Sequence, residues 1–218
     1  MSTTPTGSRV SLVHEAGVLA VVRAPSADSA IDAAEALIRG GITGIEITFS
    51  TPEAMSVVAE LRRRYGDAAF VGAGTVMTHA HVDEALAAGA SFLVAPGTVP
   101  DLAREMTSTG IITMTGAMTP TEVMTALDLG VDIVKVFPAS IGGPGFLRAL
   151  REPFPHVALM PTGGVTVANL AEFLHAGAIA VGAGGDLLPR DALEKHDWPR
   201  IEERARMYSA ALTMARQA

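Results

Sequence analysis

The amino-acid sequence predicts a single (β/α)8 barrel (TIM barrel) domain over residues 1–218, from the number of strand-like segments, their spacing and a recurring helix-to-strand junction. Eight short apolar segments of strand type lie roughly 20 to 26 residues apart, which is the length of one strand–helix unit. They occupy residues 18–22, 43–47, 69–72, 91–95, 111–114, 132–136, 157–160 and 179–183. An open, doubly wound parallel sheet is the alternative architecture for this alternation.

The junction between helix and strand repeats along the chain. It reads ALIRGGITGIEI at residues 36–47, and similar segments stand at 85–95, 126–136 and 173–183. In each, an Ala- and Leu-rich helix ends at a glycine, which suits the left-handed position that stops a helix, and an apolar strand follows within a few residues. The repetition favours eight equivalent units.

Helix starts and chain ends complete the predicted architecture. Thr51-Pro52 and Thr119-Pro120 are typical of an N-cap followed by proline in the first turn, and Glu122 stands at capping-box spacing from Thr119. We expect a flexible arm over residues 1–8, then an N-terminal helix, and a C-terminal helix over residues 199–216 that closes the ring.

Composition excludes several classes of function. Apolar residues make up 49% of the chain and charged residues 18%, with mean hydropathy +0.34, yet no apolar run is long enough for a membrane span. A net charge of −7 disfavours nucleic-acid binding. The absence of cysteine excludes disulfides and thiolate metal sites. The N-terminus lacks a charged leader followed by an apolar segment, so we expect a cytoplasmic protein.

Histidine placement does not predict a metal site. His79 and His81 stand two residues apart at a predicted helix start, where their side chains point in different directions, and no third ligand is evident. We therefore expect no metal.

Three charged residues stand in strands that should be apolar. Arg23 follows an apolar run, Glu46 lies within GIEIT, and Lys135 lies within DIVKVF, each towards the C-terminal end of its strand. That end carries the active site in barrels of this type. Strands two and six face each other across a narrow barrel, so Lys135 and Glu46 are expected to approach one another near its axis.

The charged residues have both catalytic and structural interpretations. Burial disfavours an ammonium and favours the free amine, which can attack a carbonyl, so a lysine in an apolar strand is a candidate nucleophile and Glu46 a candidate acid–base. A structural ion pair is the alternative for Lys135 and Glu46. Arg23 is either an anion anchor or a solvated strand end.

Glycine pairs follow the last two strands. PTGG at 161–164 contains Gly163 and Gly164, and GAGG at 182–185 contains Gly184 and Gly185. Loops at these places bind phosphate in many such barrels because backbone N–H groups can approach the anion. Tight turns are the alternative reading. Thr75 and Thr162 are candidate donors to a carboxylate, although threonine is also simply favourable in strands.

These motifs together resemble the bacterial KDPG/KHG aldolases, over residues 18–189. No single motif suffices, but their order and spacing are specific. The matching segments are VVR (21–23), GIEIT (44–48), VGAGTV (71–76), PG (96–97), VKVFPA (134–139) and PTGGV (161–165).

The resemblance implies roles for the matching positions. It implies a homotrimeric barrel that needs no metal or other cofactor, with Lys135 as the Schiff-base lysine and Glu46 as the general acid–base. The positions that match residues lining the substrate site are Arg23, Thr75, Pro96, Phe137 and Thr162. Those that match the phosphate-binding loops are Gly163, Gly164, Gly184 and Gly185.

The chain departs from the family pattern at three places. Many gluconate-type members carry arginine where this chain has Ser50, and the common Gly-Gly-Ser phosphate loop is here Ala183-Gly184-Gly185. The segment GPGF at 143–146 is similar to galactonate-type relatives. The choice between the two epimers therefore stays open.

The resulting expectation is a class I aldolase that cleaves 2-keto-3-deoxy-6-phosphogluconate, or its galactonate epimer, to pyruvate and glyceraldehyde 3-phosphate. Alternatives are a 4-hydroxy-2-oxoglutarate aldolase, a phosphosugar epimerase or isomerase using Glu46 as base, and a non-catalytic sensor of phosphate ligands. Neither an epimerase nor a sensor requires an amine in an apolar strand, so Lys135 discriminates between these functions and the aldolases.

Overall fold

A computed structural model describes the backbone of residues 6–217 and the side chains of residues 10–217. Eight parallel strands form one sheet in the order β7-β6-β5-β4-β3-β2-β1-β8, so each strand pairs with its neighbour in sequence and β1 also pairs with β8. One bridge, between Thr162 and Gly182, joins the remaining edges. The predicted barrel is thus confirmed. The strands are β1 Val18–Val22, β2 Gly44–Thr48, β3 Phe70–Gly74, β4 Phe92–Val94, β5 Ile112–Ala117, β6 Ile133–Val136, β7 Leu159–Pro161 and β8 Val181–Ala183.

One helix precedes β1, and at least one helix follows each strand. The helices are α1 Thr6–Ala16, α2 Ala27–Arg39, α3 Ala54–Tyr65, α4 His79–Ala87, α5 Pro100–Ser108, α6 Pro120–Asp128, α7 Gly143–Arg151, α8 Leu170–His175, α9 Arg190–Glu194 and α10 Trp198–Gln217. None in the described part of the chain is long and apolar enough to cross a membrane. The last helix, α10, packs between α2 and α8 and so fills the remaining place in the ring, as the sequence predicts.

Two details of the predicted helices need correction. The first helix begins at Thr6, so residues 6–8 are helical and do not form an arm, while residues 1–5 lie outside the described part. Thr51 does not cap α3, which begins at Ala54. Its hydroxyl instead accepts a hydrogen bond from the Ala24 N–H at 3.2 Å, and so joins the segment after β2 to the segment after β1. The capping box of Thr119 and Glu122 at α6 is present.

The interior of the barrel is filled at the N-terminal ends of the strands. Leu19, Phe92, Ile112 and Ile133 belong to one buried apolar cluster, and each stands at or next to the beginning of its strand. A larger apolar cluster lies between the sheet and the helices. Apolar side chains thus close the barrel at the N-terminal ends of the strands, and the polar side chains of the interior lie towards the C-terminal ends.

Candidate active site

The structure brings Lys135 and Glu46 together inside the barrel. Lys135 is the third residue of β6 and is 5% exposed, and Glu46 is the third residue of β2 and is fully buried. Lys135 Nζ lies 3.6 Å from Glu46 Oε1, which is an ion-pair distance but longer than a hydrogen bond. Neither carboxylate oxygen has a hydrogen-bond partner in the described part of the chain. The charged groups of a buried ion pair that serves only stability normally make further hydrogen bonds, so this geometry favours a functional role for Lys135 and Glu46.

A glycine makes space for the Glu46 carboxylate. Gly74 ends β3, and Thr48 of β2 is its partner in the sheet register. A Cβ atom at Gly74 would overlap Glu46 Oε1 and would lie 2.5 Å from its Cγ. Any larger residue at this position would therefore displace the carboxylate from Lys135.

Phe137 lies next to the Lys135 amine, and strand β5 pairs with the lysine's strand. The Phe137 ring centroid lies 5.4 Å from Nζ, and the ring is 39% exposed at the barrel mouth. Gly116 of β5 is the register partner of Lys135, and the Pro96 carbonyl lies so close to Gly116 that a Cβ atom there would overlap it. Phe137 thus lies beside the lysine, and Pro96 lies beside the register partner of the lysine; the resemblance implies substrate-lining roles for both positions.

A cavity of about 280 Å³ opens beside Phe137 and Thr162 and reaches both glycine pairs, 163–164 and 184–185. Thr162 is 5% exposed, and its Oγ1 has no hydrogen-bond partner among the described residues. A buried hydroxyl without a partner is uncommon in a folded protein. Its position in the cavity wall makes it a candidate donor or acceptor for a ligand.

The two glycine pairs differ in how strictly they require glycine. Gly163 and Gly164 have φ values of +87° and +81°, and a Cβ atom at Gly164 would lie 2.6 Å from that of Ser140. Gly184 and Gly185 lack such φ values, and a Cβ atom at Gly185 would meet nothing within 4 Å. The first pair is thus needed for a loop of unusual backbone geometry. The second leaves open space next to the cavity.

Arg23 lies at the mouth of the barrel and is exposed, in contact with the Ser50 hydroxyl and 3.5 Å from Thr75 Oγ1. Ser50 is also 2.8 Å from Thr48 Oγ1, which donates to a β1 carbonyl. The guanidinium and the glycines at 184–185 line a second cavity, of about 260 Å³. Arg23 therefore reaches from Thr75 towards the glycine loop, as an anion anchor would.

Thr75 has an unusual backbone conformation. Its φ is +58°, in the left-handed region that β-branched residues rarely adopt. Such conformations are concentrated at functional sites, where the surrounding structure imposes them. The Thr75 side chain consequently stands beside Arg23 at the mouth of the barrel.

Comparison with known proteins identifies the family of this chain. The family described as KDPG and KHG aldolase matches residues 10–204 of the chain. The chain belongs to this aldolase family. A 2-dehydro-3-deoxy-phosphogluconate aldolase from Pseudoalteromonas atlantica is 38% identical over 178 residues, which are 81% of this chain and 82% of the relative. A 2-dehydro-3-deoxy-6-phosphogalactonate aldolase from Escherichia coli is 33% identical over 171 residues, or 78% of this chain and 83% of the relative.

A solved structure of a KDPG aldolase from Legionella pneumophila has the same fold as this aldolase. The two superpose with a TM-score of 0.84 at 32% identity, covering 94% of this chain and 98% of the other. That crystal contained pyruvate captured as a covalent carbinolamine intermediate. The barrel and its family are therefore established independently of the site geometry.

The structure adds residues to the aldolase site that the sequence analysis did not single out. Val21 lines both cavities, and Gly74 shapes the position of Glu46. Val21 stands two residues before Arg23, so strand alternation could have placed it on the same face. Gly74 lies within the matched segment VGAGTV at 71–76, but its contact with Glu46 cannot be predicted from that segment, because it depends on a side chain from another strand.

The two histidines of the aldolase make ordinary contacts. His79 contacts Glu105, and His81 stacks on Phe49 with ring centroids 3.9 Å apart. In the part of the chain that the structure describes, no group of three or more histidine, aspartate or glutamate side chains is arranged to hold a metal ion.

Proposed function

We propose that this aldolase cleaves a 2-keto-3-deoxy-6-phospho sugar acid through a Schiff base on Lys135. The observation that carries the proposal is the buried amine 3.6 Å from the Glu46 carboxylate. The Phe137 ring, 5.4 Å from that amine, lines a cavity whose wall also holds the unpartnered Thr162 hydroxyl. The captured carbinolamine in the Legionella pneumophila relative supports the same chemistry. A structural ion pair explains neither the cavity nor the missing hydrogen bonds.

The proposed reaction begins with attack on the substrate ketone. The free amine of Lys135 adds to C2, and Glu46, directly or through a water molecule, transfers protons as the carbinolamine loses water. The resulting iminium accepts the electrons of the C3–C4 bond when that bond breaks. Glu46 removes the proton of the C4 hydroxyl, and an aldehyde leaves. Protonation of the enamine and hydrolysis of the iminium then release pyruvate and the lysine.

The remaining residues bind the substrate in this proposal. Thr75 and Pro96 lie near the substrate carboxylate, while Phe137 and Thr162 flank the reacting carbons. Arg23 and the glycine loops 163–164 and 184–185 receive the phosphate. Charge complementarity supports this division, because Arg23 is a cation that lines the same cavity as Gly184 and Gly185, whose backbone N–H groups can face an anion. The proposed chemistry requires no metal, since the iminium supplies the electron sink.

The chain offers a direct test because it contains only two lysines, Lys135 and the exposed Lys195. Treatment with borohydride in the presence of pyruvate should attach one reduced pyruvate to the peptide containing Lys135 and none to the peptide containing Lys195. Labelling at neither lysine, in folded protein, would refute the covalent mechanism. It would favour the epimerase alternative, in which Glu46 acts alone. Labelling without cleavage of any sugar acid would favour the sensor.

Two epimers remain candidates for the substrate. Relatives of both the gluconate and galactonate types share about a third of the sequence or more. Comparing kcat/KM for the two phosphorylated epimers, and for 4-hydroxy-2-oxoglutarate, would assign the substrate. We expect the phosphorylated sugar acids to be preferred because the dicarboxylate does not place a phosphate at the glycine loops.

We also propose that the aldolase is a homotrimer. Apolar side chains stand exposed in three successive units of the barrel: Met77 is 58%, Val99 60% and Met124 57% exposed. Exposed apolar side chains in successive units are typical of a surface that another subunit covers. Light scattering coupled to size-exclusion chromatography should give three times the 22.5 kDa chain mass. A monomer mass at micromolar concentration would contradict this assembly.

A further inference from the structure

A buried tyrosine of the C-terminal helix contacts the chain just after each glycine pair. Tyr208, in α10, is fully buried. Its hydroxyl oxygen lies 2.8 Å from Asp186 Oδ2 and 3.1 Å from the Val165 carbonyl oxygen. Val165 follows the glycines at 163–164, and Asp186 follows those at 184–185. The hydroxyl thus has one proton to donate and an acceptor on each loop within hydrogen-bonding distance, of which the carboxylate is the nearer.

Asp186 connects the two loops further. The same Oδ2 accepts a hydrogen bond from the Val167 N–H at 3.4 Å and pairs with an Arg204 nitrogen at 2.6 Å. Arg204 and Tyr208 stand four residues apart on α10 and so share one face of that helix. One carboxylate oxygen thus joins the loop after β7, the loop after β8 and the C-terminal helix.

The charge of Asp186 makes its orientation important. Asp186 also lines the cavity that the four glycines reach, where a free carboxylate would repel an anionic ligand. Arg204 supplies a positive charge beside it. Burial, together with the hydrogen bond to Asp186, raises the pKa of the Tyr208 phenol, so the hydroxyl remains a donor at neutral pH. The contacts with α10 therefore hold the carboxylate in one place.

We infer that Tyr208, acting through Asp186, is a positioning residue that holds both glycine loops in the arrangement that receives the substrate phosphate. This inference rests on the proposed function. It assigns a role in phosphate recognition to a residue that lies behind the loops and does not contact the substrate.

The test uses the aldol reaction in the direction of synthesis, with pyruvate as donor. Glyceraldehyde 3-phosphate and glyceraldehyde, as acceptors, differ only by the phosphate, so the choice of epimer does not affect the comparison. In Tyr208→Phe, which removes only the hydroxyl, we expect KM for glyceraldehyde 3-phosphate to rise about tenfold, as for loss of a hydrogen bond to a charged group. KM for glyceraldehyde and kcat at saturation should change by less than about twofold.

A second probe is independent of turnover. Inorganic phosphate should bind the wild-type protein, as measured by calorimetry, and about tenfold more weakly to Tyr208→Phe. Tyr65→Phe is the matched control, because Tyr65 is the only other tyrosine and ends α3, away from the loops. It should change none of these values. Arg204→Met removes the ion pair with Asp186 and should produce the same selective rise in KM for glyceraldehyde 3-phosphate. This variant replaces Tyr208→Phe as the test if Tyr208→Phe does not fold.

The outcomes separate this inference from the proposed function. Equal rises in KM for both aldehydes, or no rise in a folded variant, would overturn the positioning role while leaving the Schiff base intact. Wild-type protein that traps pyruvate at Lys135 but does not prefer the phosphorylated aldehyde would also overturn it. Failure of wild-type protein to trap pyruvate would instead refute the proposed function, and the inference with it.

Discussion

The two ends of the barrel interior use the same strands in different ways. At the N-terminal ends, Leu19, Phe92, Ile112 and Ile133 fill the space with large apolar side chains. At the C-terminal ends, charged and hydroxyl side chains stand next to glycines: Glu46 beside Gly74, Lys135 beside Gly116 and Thr162 beside Gly182. One end stabilises the fold by burying apolar surface, and the other gives up part of that stabilisation to bury a lysine–glutamate pair. Substitutions at the two ends should therefore have different effects.

The largest effect on activity is expected at the polar end, from Lys135→Met. This change removes the nucleophile while keeping a side chain of similar length. Cleavage should fall on the order of 10⁴-fold or more, and trapping of pyruvate should disappear. Lys195→Met, at the exposed lysine, should leave steady-state kinetics unchanged. Retention of full activity by folded Lys135→Met would show that the pair is structural.

A smaller loss should follow from changing a glycine beside the pair. In Gly74→Ala the new methyl group overlaps the Glu46 carboxylate and must displace it. Since acid–base groups contribute on the order of 10²-fold or more, kcat should fall by about that factor while pyruvate still labels Lys135. Gly145→Ala, where a Cβ atom meets nothing within 4 Å, is the control and should keep wild-type kcat. Wild-type kcat in Gly74→Ala would mean that the position of Glu46 is unimportant.

At the apolar end, a substitution should lower the free energy of unfolding and leave kcat nearly unchanged. Phe92→Ala removes a fully buried ring and should lower the free energy of unfolding by about 3–5 kcal/mol, as urea denaturation can measure. Activity per folded molecule should remain near wild type. Leu86→Ala, at a side chain that is 38% exposed, should lower the free energy of unfolding far less. If Phe92→Ala lowered kcat as strongly as Gly74→Ala, the division between the two ends would not hold.

The smallest effect concerns a helix start at the polar end. Glu122 accepts hydrogen bonds from the Met118 and Thr119 N–H groups at 2.7 and 2.9 Å, and the bond from Met118 contributes most to lowering its pKa below 4.5. Because the folded pKa is depressed, the carboxylate stabilises the fold above its unfolded pKa, and this stabilisation is lost as pH falls through the folded value.

Glu122→Gln should therefore destabilise the protein by about 0.3–1 kcal/mol at neutral pH, and the difference from wild type should shrink as the pH falls below 4.5. Urea denaturation at several pH values provides the measurement. A difference that grows at low pH would have the wrong sign for this cap.

Much of the fold could be predicted because its signals are local. Every predicted strand overlaps an observed one, and the helix predicted at 199–216 is Trp198–Gln217 in the structure. The Thr51 cap was wrong because a hydroxyl that favours a helix start can also hydrogen-bond to a neighbouring strand, and only the packed chain decides between them. Similarly, the sequence marked Thr75 as a candidate but not its left-handed backbone, which neighbouring segments impose.

The sequence by itself marked Lys135 and Glu46 as the candidates for the chemistry, because a lysine and a glutamate in otherwise apolar strands are costly to bury without a purpose. Tertiary structure alone decided the distances between residues that are remote in the chain. It placed Lys135 3.6 Å from Glu46, set Gly74 against the carboxylate, and brought Tyr208 of the last helix beneath the glycine loops. The physical reason is that side-chain alternation and spacing are properties of one segment, whereas closure of the barrel fixes contacts among all eight.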